Sequence, residues 1–160
     1  FNAGGVDWLI LSLRFGAGTN EVGWAERLIR RHADKNVILI NHEMNNAVTT
    51  MGKKYPNVVF FLCGHHQTGI ELMAGVDDHK IGWIRTCWHK ASLDSFFTVV
   101  EVETAAGSVT CRYYSPLHGK FGDDPASELY NSGKNPMKYA PEKGPFEHPW
   151  TWTGFDFDRE

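Results

Sequence analysis

Two histidines in this sequence follow short apolar runs, and their side chains are the first candidates for chemistry. Run 37–41, VILIN, ends directly in His42, and run 58–63, VVFFLC, is followed by Gly64 and then by His65. Short continuous apolar runs are typical of strands buried on both faces of a parallel sheet. In such sheets, ligands and metals are held by the loops that leave the C-terminal ends of the strands. We therefore expect His42 and His65 to converge at one edge of one sheet.

Several polar side chains accompany the two histidines. Neutral imidazole is a common ligand of zinc, manganese and iron, and catalytic sites combine it with carboxylates and an open position for water. His66 and Gln67 come next in the chain and can hydrogen-bond a phosphate oxygen, and His66 could also act as a general acid. Polar loop residues that only contact water, or a histidine that only hydrogen-bonds at a strand end, would give the same pattern. Both interpretations stay open at this point.

Length and composition limit the classes of protein to consider. The 160 residues suffice for one domain with a sizeable core, and 42% hydrophobic with 22% charged residues is a globular composition. The formal charge of -3 gives no reason to expect nucleic acid or an anionic membrane as a partner. No apolar run approaches the roughly 20 residues that span a bilayer. Three cysteines lack CxxC spacing and are interpreted as small core residues: Cys63, Cys87 and Cys111.

The elements that must position the histidines are predicted from periodicity. Residues 5–15 form a strand around WLILSL, and residues 22–32 carry apolar side chains at helical spacing, with Asn20 as the N-cap. Strand, helix and strand in this order predict a right-handed βαβ unit with parallel pairing. After His42, residues 45–54 predict a second, short helix.

Beyond Gln67 the pattern changes to strands without intervening helices. An antiparallel meander with a hairpin near Gly107 is predicted from the runs 70–74, 81–88, 96–103 and 109–115. Six of the seven prolines lie from Pro116 onward, so we expect an irregular tail over 116–160. Its aromatic side chains would wrap the domain or, alternatively, form a binding surface: Trp150, Trp152, Phe155 and Phe157.

The stretches VILINHE and VVFFLCGHHQ together resemble the last two of five ordered blocks in the calcineurin-like metallophosphoesterases. Those blocks are an Asp-x-His, a Gly-Asp-x-x-Asp, a Gly-Asn-His-Asp/Glu, a histidine after a buried strand, and a Gly-His-x-His. The first three are absent upstream of this pair, and FNAGGVDWLILSL resembles the strand that follows the third. The resemblance covers residues 1–115 and implies an α/β fold. It would be the C-terminal half of a two-sheet metallophosphoesterase sandwich flanked by helices, with the βαβ unit followed by the meander and the irregular tail.

Matched by position, His42 is the single histidine of the fourth block and His65 the first histidine of Gly-His-x-His. The resemblance implies that both bind the same one of two divalent ions, which would be manganese, iron or zinc. Gln67 stands where the second histidine, a ligand of the other ion, is expected, and an amide oxygen is a weaker, neutral ligand. We expect His66 and Glu43 to contact the substrate, with His66 in a catalytic role.

The activity implied by the resemblance is that of a phosphoric ester hydrolase, in which metal-activated water attacks phosphorus. The remaining ligands would come from an N-terminal half, so this chain alone should be inactive. The expected partners are a phosphate ester and that missing half, or a second chain through self-association at an open sheet edge. Two alternatives stay open. One is a non-catalytic scaffold or binding module that retains the fold, and the other is a mononuclear metal-binding protein without phosphate chemistry.

Overall fold

The structure is a computed structural model that describes residues 1–65, 69–86, 97–116, 119–121 and 150–159. These residues form two β-sheets and two α-helices, with short 3₁₀ turns at Val76–Asp78 and Thr104–Ala106. The elements in chain order are β1 (Asn2–Ala3), β2 (Val6–Leu13), α1 (Thr19–Arg31), β3 (Asn36–Asn41), α2 (Asn46–Gly52), β4 (Val58–Cys63), β5 (Gly69–Ala74), β6 (Lys80–Arg85), β7 (Phe97–Glu103), β8 (Ser108–Ser115), β9 (Lys120–Phe121) and β10 (Trp150–Thr153). Neither described helix has the length and apolar character needed to cross a bilayer.

The first sheet is mixed and has the strand order β1-β2-β3-β4-β6-β5. Its four inner strands β2, β3, β4 and β6 are parallel, while β1 and β5 pair antiparallel at the two edges. The predicted βαβ unit with parallel pairing is therefore confirmed, and the short helix α2 follows β3 as expected. Parallel pairing places the C-terminal ends of the four inner strands at one edge of the sheet.

The second sheet contains the hairpin of β7 and β8, with β9 and β10 also paired to β8. A single continuous meander is thus wrong, because β6 lies in the first sheet, parallel to β4, and β7 lies in the second. Apolar residues line both faces of β6, with Ile81 in one core and Ile84 in the other, as in a central strand. The irregular tail is also wrong at Trp150–Thr153, which forms a strand.

Two hydrophobic cores separate three layers. One core lies between the helices and the first sheet, where Ala25 and Ile29 of α1 pack on Leu39 and Phe61. The other lies between the two sheets and contains these buried side chains: Trp8, Val59, Phe60, Ile84, Val109, Cys111, Phe155 and Phe157. Two tail aromatics are thus part of the core, whereas a domain boundary at residue 115 stays a prediction.

Helix α1 begins earlier than the sequence suggested, with an N-cap two residues before the predicted one. Gly18 is the N-cap, and its N–H donates to Glu21 Oε2 at 3.0 Å. The prediction of Asn20 as N-cap is therefore wrong, since Asn20 lies within the helix. The Glu21 carboxylate therefore satisfies the backbone N–H of the N-cap residue, as the glutamate of a capping box does.

Buried amide side chains hold the edge of the first sheet where the strands begin. Asn57 follows the turn before β4, and its side-chain nitrogen lies 3.4, 3.1 and 3.2 Å from three carbonyl oxygens at the end of α1, those of Ile29, His32 and Lys35. Asn36 donates to the Phe157 carbonyl at 2.8 Å and accepts from Arg159 Nε at 3.2 Å. These bonds fix both α1 and the end of the chain to this edge.

Replacing Asn57 should destabilise the fold without changing its sheets. Asn57→Ala removes the side-chain donor shared by these carbonyls, so we expect the free energy of unfolding to fall by about 1–3 kcal/mol. Urea unfolding followed by circular dichroism measures this. The control is Asn46→Ala, an exposed asparagine in α2, which should change stability by less than about 0.5 kcal/mol. Equal effects of both substitutions would contradict the capping role.

A hydrogen bond from a tyrosine that follows α2 lowers the pKa of one carboxylate on α1. The Tyr55 hydroxyl donates to Glu26 Oε1 at 2.6 Å. This bond is the main reason that the pKa of Glu26 lies below its usual value, with smaller contributions from Lys54 and Arg30 and against the effect of burial. Because the folded state then binds the proton less readily than the unfolded chain, stability rises with pH in this range. The contribution is complete above the ordinary carboxyl pKa of about 4.3 and is lost as the pH falls through the lowered pKa.

The substitution Tyr55→Phe tests this link between protonation and stability. It should raise the pKa of Glu26 towards its ordinary value, and its destabilising effect should be larger at pH 6 than at pH 3. NMR titration of the glutamate carboxyl carbons and unfolding at both pH values measure this. Glu21 is an internal control, because its pKa is lowered chiefly by the hydrogen bond from Arg14. An unmoved Glu26 titration in the variant would contradict the assignment.

Candidate functional site

The structure brings His42 and His65 together at the edge of the first sheet where the parallel strands end. Asn41 and Cys63, the last residues of β3 and β4, are register partners, and the two histidines follow them. His65 Nδ1 lies 3.3 Å from His42 Nε2, and the ring centroids are 5.2 Å apart. Both side chains are exposed to solvent. The predicted convergence is therefore confirmed, while the roles of the two residues stay predictions.

The buried side chain of Asn41 ties this edge together. Its amide nitrogen lies 2.8 Å from the Arg14 carbonyl oxygen and 3.3 Å from that of Leu13, at the end of β2. Its amide oxygen accepts from the backbone N–H of Glu43 at 2.8 Å. Asn41 therefore links the end of β2 to Glu43, in the loop that carries His42. Because a buried amide left unpaired is unfavourable, this network favours a single loop conformation.

The backbone of the second histidine, His65, has an unfavourable conformation. His65 has a φ of +60°, in the left-handed region that residues other than glycine rarely adopt and that costs roughly 1–2 kcal/mol. Directly before it, the Gly64 N–H donates to the His42 carbonyl at 3.2 Å and joins the two loops. Strain of this kind persists only where the surrounding structure imposes it, and it clusters at functional sites. Asp77 and Asp78, in the turn before β6, also have a positive φ, so His65 shares this conformation with residues away from the pair.

Phe15 covers one side of the histidine pair. It comes two residues after β2, and its ring centroid lies 5.6 Å from those of both His42 and His65. Its ring meets the His42 ring edge-on, at 66°. Sequence analysis missed Phe15, although its position after a parallel strand was available as a signal. Among the described residues it gives the pair one apolar wall.

The spacing of the two ring nitrogens suits two chemical states. Without an ion, one imidazole donates its N–H to the other. With zinc, two nitrogens at about 2.0–2.1 Å from the metal and at a tetrahedral angle lie about 3.3–3.4 Å apart. The observed 3.3 Å matches the nitrogen–nitrogen distance of this second arrangement. The pair can therefore supply two ligands to one ion.

The described residues do not complete a metal site. In this part of the chain no group of three or more histidine, cysteine, aspartate or glutamate side chains is placed to hold an ion. Catalytic zinc sites use three protein ligands. His66 and Gln67, predicted as catalytic residue and ligand, lie outside the described residues. Glu43 is half-buried beside His42, and its proposed contact with substrate stays a prediction.

The cysteines are not part of this site's chemistry in the described region. Cys63 and Cys111 are both buried, as the interpretation as core residues predicts, and Trp83 Nε1 donates to Cys63 Sγ at 3.2 Å. Burial raises the pKa of the Cys111 thiol to about 12, so it stays protonated and unreactive near neutral pH. Cys87 lies outside the described residues.

Comparison with known proteins adds no family assignment. No family model matches the chain, and neither a curated protein nor a solved structure matches it. The resemblance to metallophosphoesterases therefore depends on the two sequence blocks.

Two substitutions of His65 separate its backbone strain from its side chain. His65→Gly and His65→Ala both remove the imidazole, but only glycine adopts a φ of +60° without steric strain. We expect the glycine variant to be more stable than the alanine variant by about 1 kcal/mol. Urea unfolding of the two variants measures the difference. An alanine variant as stable as the glycine variant would show that this backbone is not strained.

Proposed function

We propose that this chain is the C-terminal half of a calcineurin-like, metal-dependent phosphoesterase, and that His42 and His65 bind one divalent ion. The observation that carries the proposal is the 3.3 Å distance between His65 Nδ1 and His42 Nε2. Two adjacent parallel strands provide these nitrogens, at the sheet edge where α/β proteins hold ligands. The left-handed backbone of His65 supports the same conclusion, because strain of this type accompanies functional sites.

The layer order also supports the proposal. Two sheets pack face to face, and α1 and α2 cover the outer face of the first sheet. This is the arrangement expected of the family's sandwich. Because many unrelated activities share such architectures, the layer order supports the fold in the proposal, and the histidine pair supports the activity.

Coordination would fix the protonation of both rings. His42 Nε2 and His65 Nδ1 face each other, so if these two nitrogens held an ion, the ring protons would stand on His42 Nδ1 and His65 Nε2. A bound divalent ion would polarise a phosphoryl oxygen and activate water, the chemistry that phosphoric ester hydrolysis requires. Phe15 would shield one side of the pair from water, and His66 and Glu43 would contact the phosphate ester.

The described residues offer no third ligand beside the pair, so further ligands would come from outside them. Gln67 is one candidate for the second of the two ions, which would be manganese, iron or zinc. The rest would come from a missing N-terminal half or from another chain. Two ligands do not make a catalytic centre, so we expect this chain alone to turn over no phosphate ester.

One observation favours a second candidate, a non-catalytic scaffold that retains the phosphoesterase fold. Among the described residues, no third side chain of a ligand type joins the histidine pair. In that case His42 and His65 would hydrogen-bond to each other and the chain would act through its surface.

Metal binding by matched variants tests the proposal. Isothermal titration with Mn²⁺ and Zn²⁺ would compare the unmodified chain, a His42→Ala, His65→Ala double variant and a His32→Ala control. His32 lies at the end of α1, beside the opposite edge of the sheet. Loss of one outer-sphere partner typically weakens metal affinity 10–100-fold. We therefore expect the double variant to lose at least about 100-fold and the control to lose nothing.

The outcomes separate the two candidates. Equal affinity in all three proteins would contradict a metal site at this pair and leave the scaffold. Turnover of p-nitrophenyl phosphate, recorded on the same samples, should be absent in each. Turnover that depends on His42 and His65 would instead mean that a complete centre assembles from copies of this chain.

A further inference from the structure

The aromatic ring of Phe15 is exposed directly beside the histidine pair. The side chain is 55% exposed, and among the described residues only Phe1 exposes a larger fraction of a large apolar side chain. Single exposed apolar side chains are common on protein surfaces, so exposure alone carries no conclusion. The position of Phe15 does, because its ring lies next to the two nitrogens that would hold an ion.

The loop that carries Phe15 is held on both sides of the ring. The carbonyl of Arg14, directly before it, accepts from Asn41 Nδ2 at 2.8 Å. The carbonyl of Ala17, two residues after it, accepts from Asn45 Nδ2 at 3.1 Å, and the Ala17 side chain is buried. Two asparagines from the β3 end of the sheet thus fix the backbone around Phe15. The ring is therefore kept beside the pair instead of folding onto the core.

The Phe15 ring has room for a further ring. Its centroid lies 5.6 Å from those of His42 and His65, within the 4.5–7 Å over which aromatic rings attract each other. The contact with His42 is edge-on, at 66°, and the contact with His65 is tilted, at 52°. Neither imidazole therefore stacks flat against the phenyl ring, and the exposed part of Phe15 stays available to a ligand.

Leaving groups of different chemistry would gain differently from this contact. An aromatic ring gains both the burial of apolar surface and the directed pairing of two rings. An aliphatic ring of similar size gains the burial alone, and a methyl group gains little of either. The Phe15 ring therefore discriminates among esters that share one phosphate group.

We propose that Phe15 is a specificity residue that selects phosphate esters whose leaving group is an aromatic ring, as in an aryl phosphate. The phosphate would be held at His42 and His65, and the aromatic ring of the ester would pack on the exposed part of Phe15. This inference rests on the proposed function, because the phosphate must first bind at the pair. Phe15 itself takes no part in ion binding or in proton transfer.

Three esters with the same phosphate group test this selectivity: phenyl, cyclohexyl and methyl phosphate. Since this chain alone is expected to turn over no ester, NMR titration of the zinc-loaded chain measures their binding at equilibrium. Phenyl phosphate should bind about 2- to 10-fold more tightly than cyclohexyl phosphate, the range that one aromatic pair contributes. Phenyl phosphate alone should also shift the Phe15 ring protons upfield, since the current of a stacked ring shields them.

Matched variants assign the selectivity to Phe15. Phe15→Leu keeps an apolar side chain without a ring and should abolish the preference for phenyl over cyclohexyl phosphate. Phe15→Tyr keeps the ring and should retain the preference. The control is Phe97→Leu, because Phe97 is 46% exposed on β7 in the second sheet. This variant should bind all three esters as the unmodified chain does.

The outcomes distinguish this inference from the function on which it rests. If zinc binds at the pair but phenyl and cyclohexyl phosphate bind equally, or if Phe15→Leu retains the preference, the selectivity is overturned and the metal site stands. If zinc leaves the ring nitrogens of His42 and His65 unshifted, the proposed function fails and the role of Phe15 fails with it.

Discussion

The parallel register between β3 and β4 is the constraint on which the candidate site depends. Asn41 stands opposite Cys63, so the loops that carry His42 and His65 leave the sheet side by side. A shift of one residue would turn every side chain of the strand to the other face. The pairing of β3 with β4 has one irregularity, between Val37 and Ile38; beyond it the two strands keep one register as far as Asn41 and Cys63, and they contribute to the cores on both sides of the sheet. The hydrophobic cores thus fix the geometry of a polar, exposed pair.

Hydrogen bonds from asparagine side chains, most of them buried, connect the first sheet to the loops and chain segments at its two ends. At the histidine end, Asn41 binds the end of β2, and the half-buried Asn45 donates to the Ala17 carbonyl at 3.1 Å while it caps α2. At the opposite end, Asn36 and Asn57 hold the chain terminus and the last turn of α1. A buried amide with satisfied hydrogen bonds favours one conformation over its alternatives. This framework can support the unfavourable backbone of His65, which a loosely held loop would relax.

The features that follow from burial could be predicted from the sequence. The neighbours of each strand in the sheets could not. Continuous apolar runs identified the inner strands, and parallel strands imply a common edge, so the meeting of His42 and His65 was predictable. Apolar spacing does not say which strand is a neighbour, and β6 and β7 were therefore joined in one meander. Strand β10 was missed because prolines dominate the segment before it. Phe15 carries no chemistry of its own, and only the fold shows that it contacts both histidine rings.

The central claim is that His42 Nε2 and His65 Nδ1 bind one ion, and the nitrogen resonances of the two rings test it most directly. Long-range ¹H–¹⁵N NMR spectra of the histidine side chains, recorded before and after addition of zinc, report the state of each ring nitrogen. The account predicts that these two nitrogens shift together to values typical of metal coordination, while His42 Nδ1 and His65 Nε2 keep their protons. If the hydrogen bond between the rings persists at saturating zinc, or if other histidines shift instead, the pair is not a metal site.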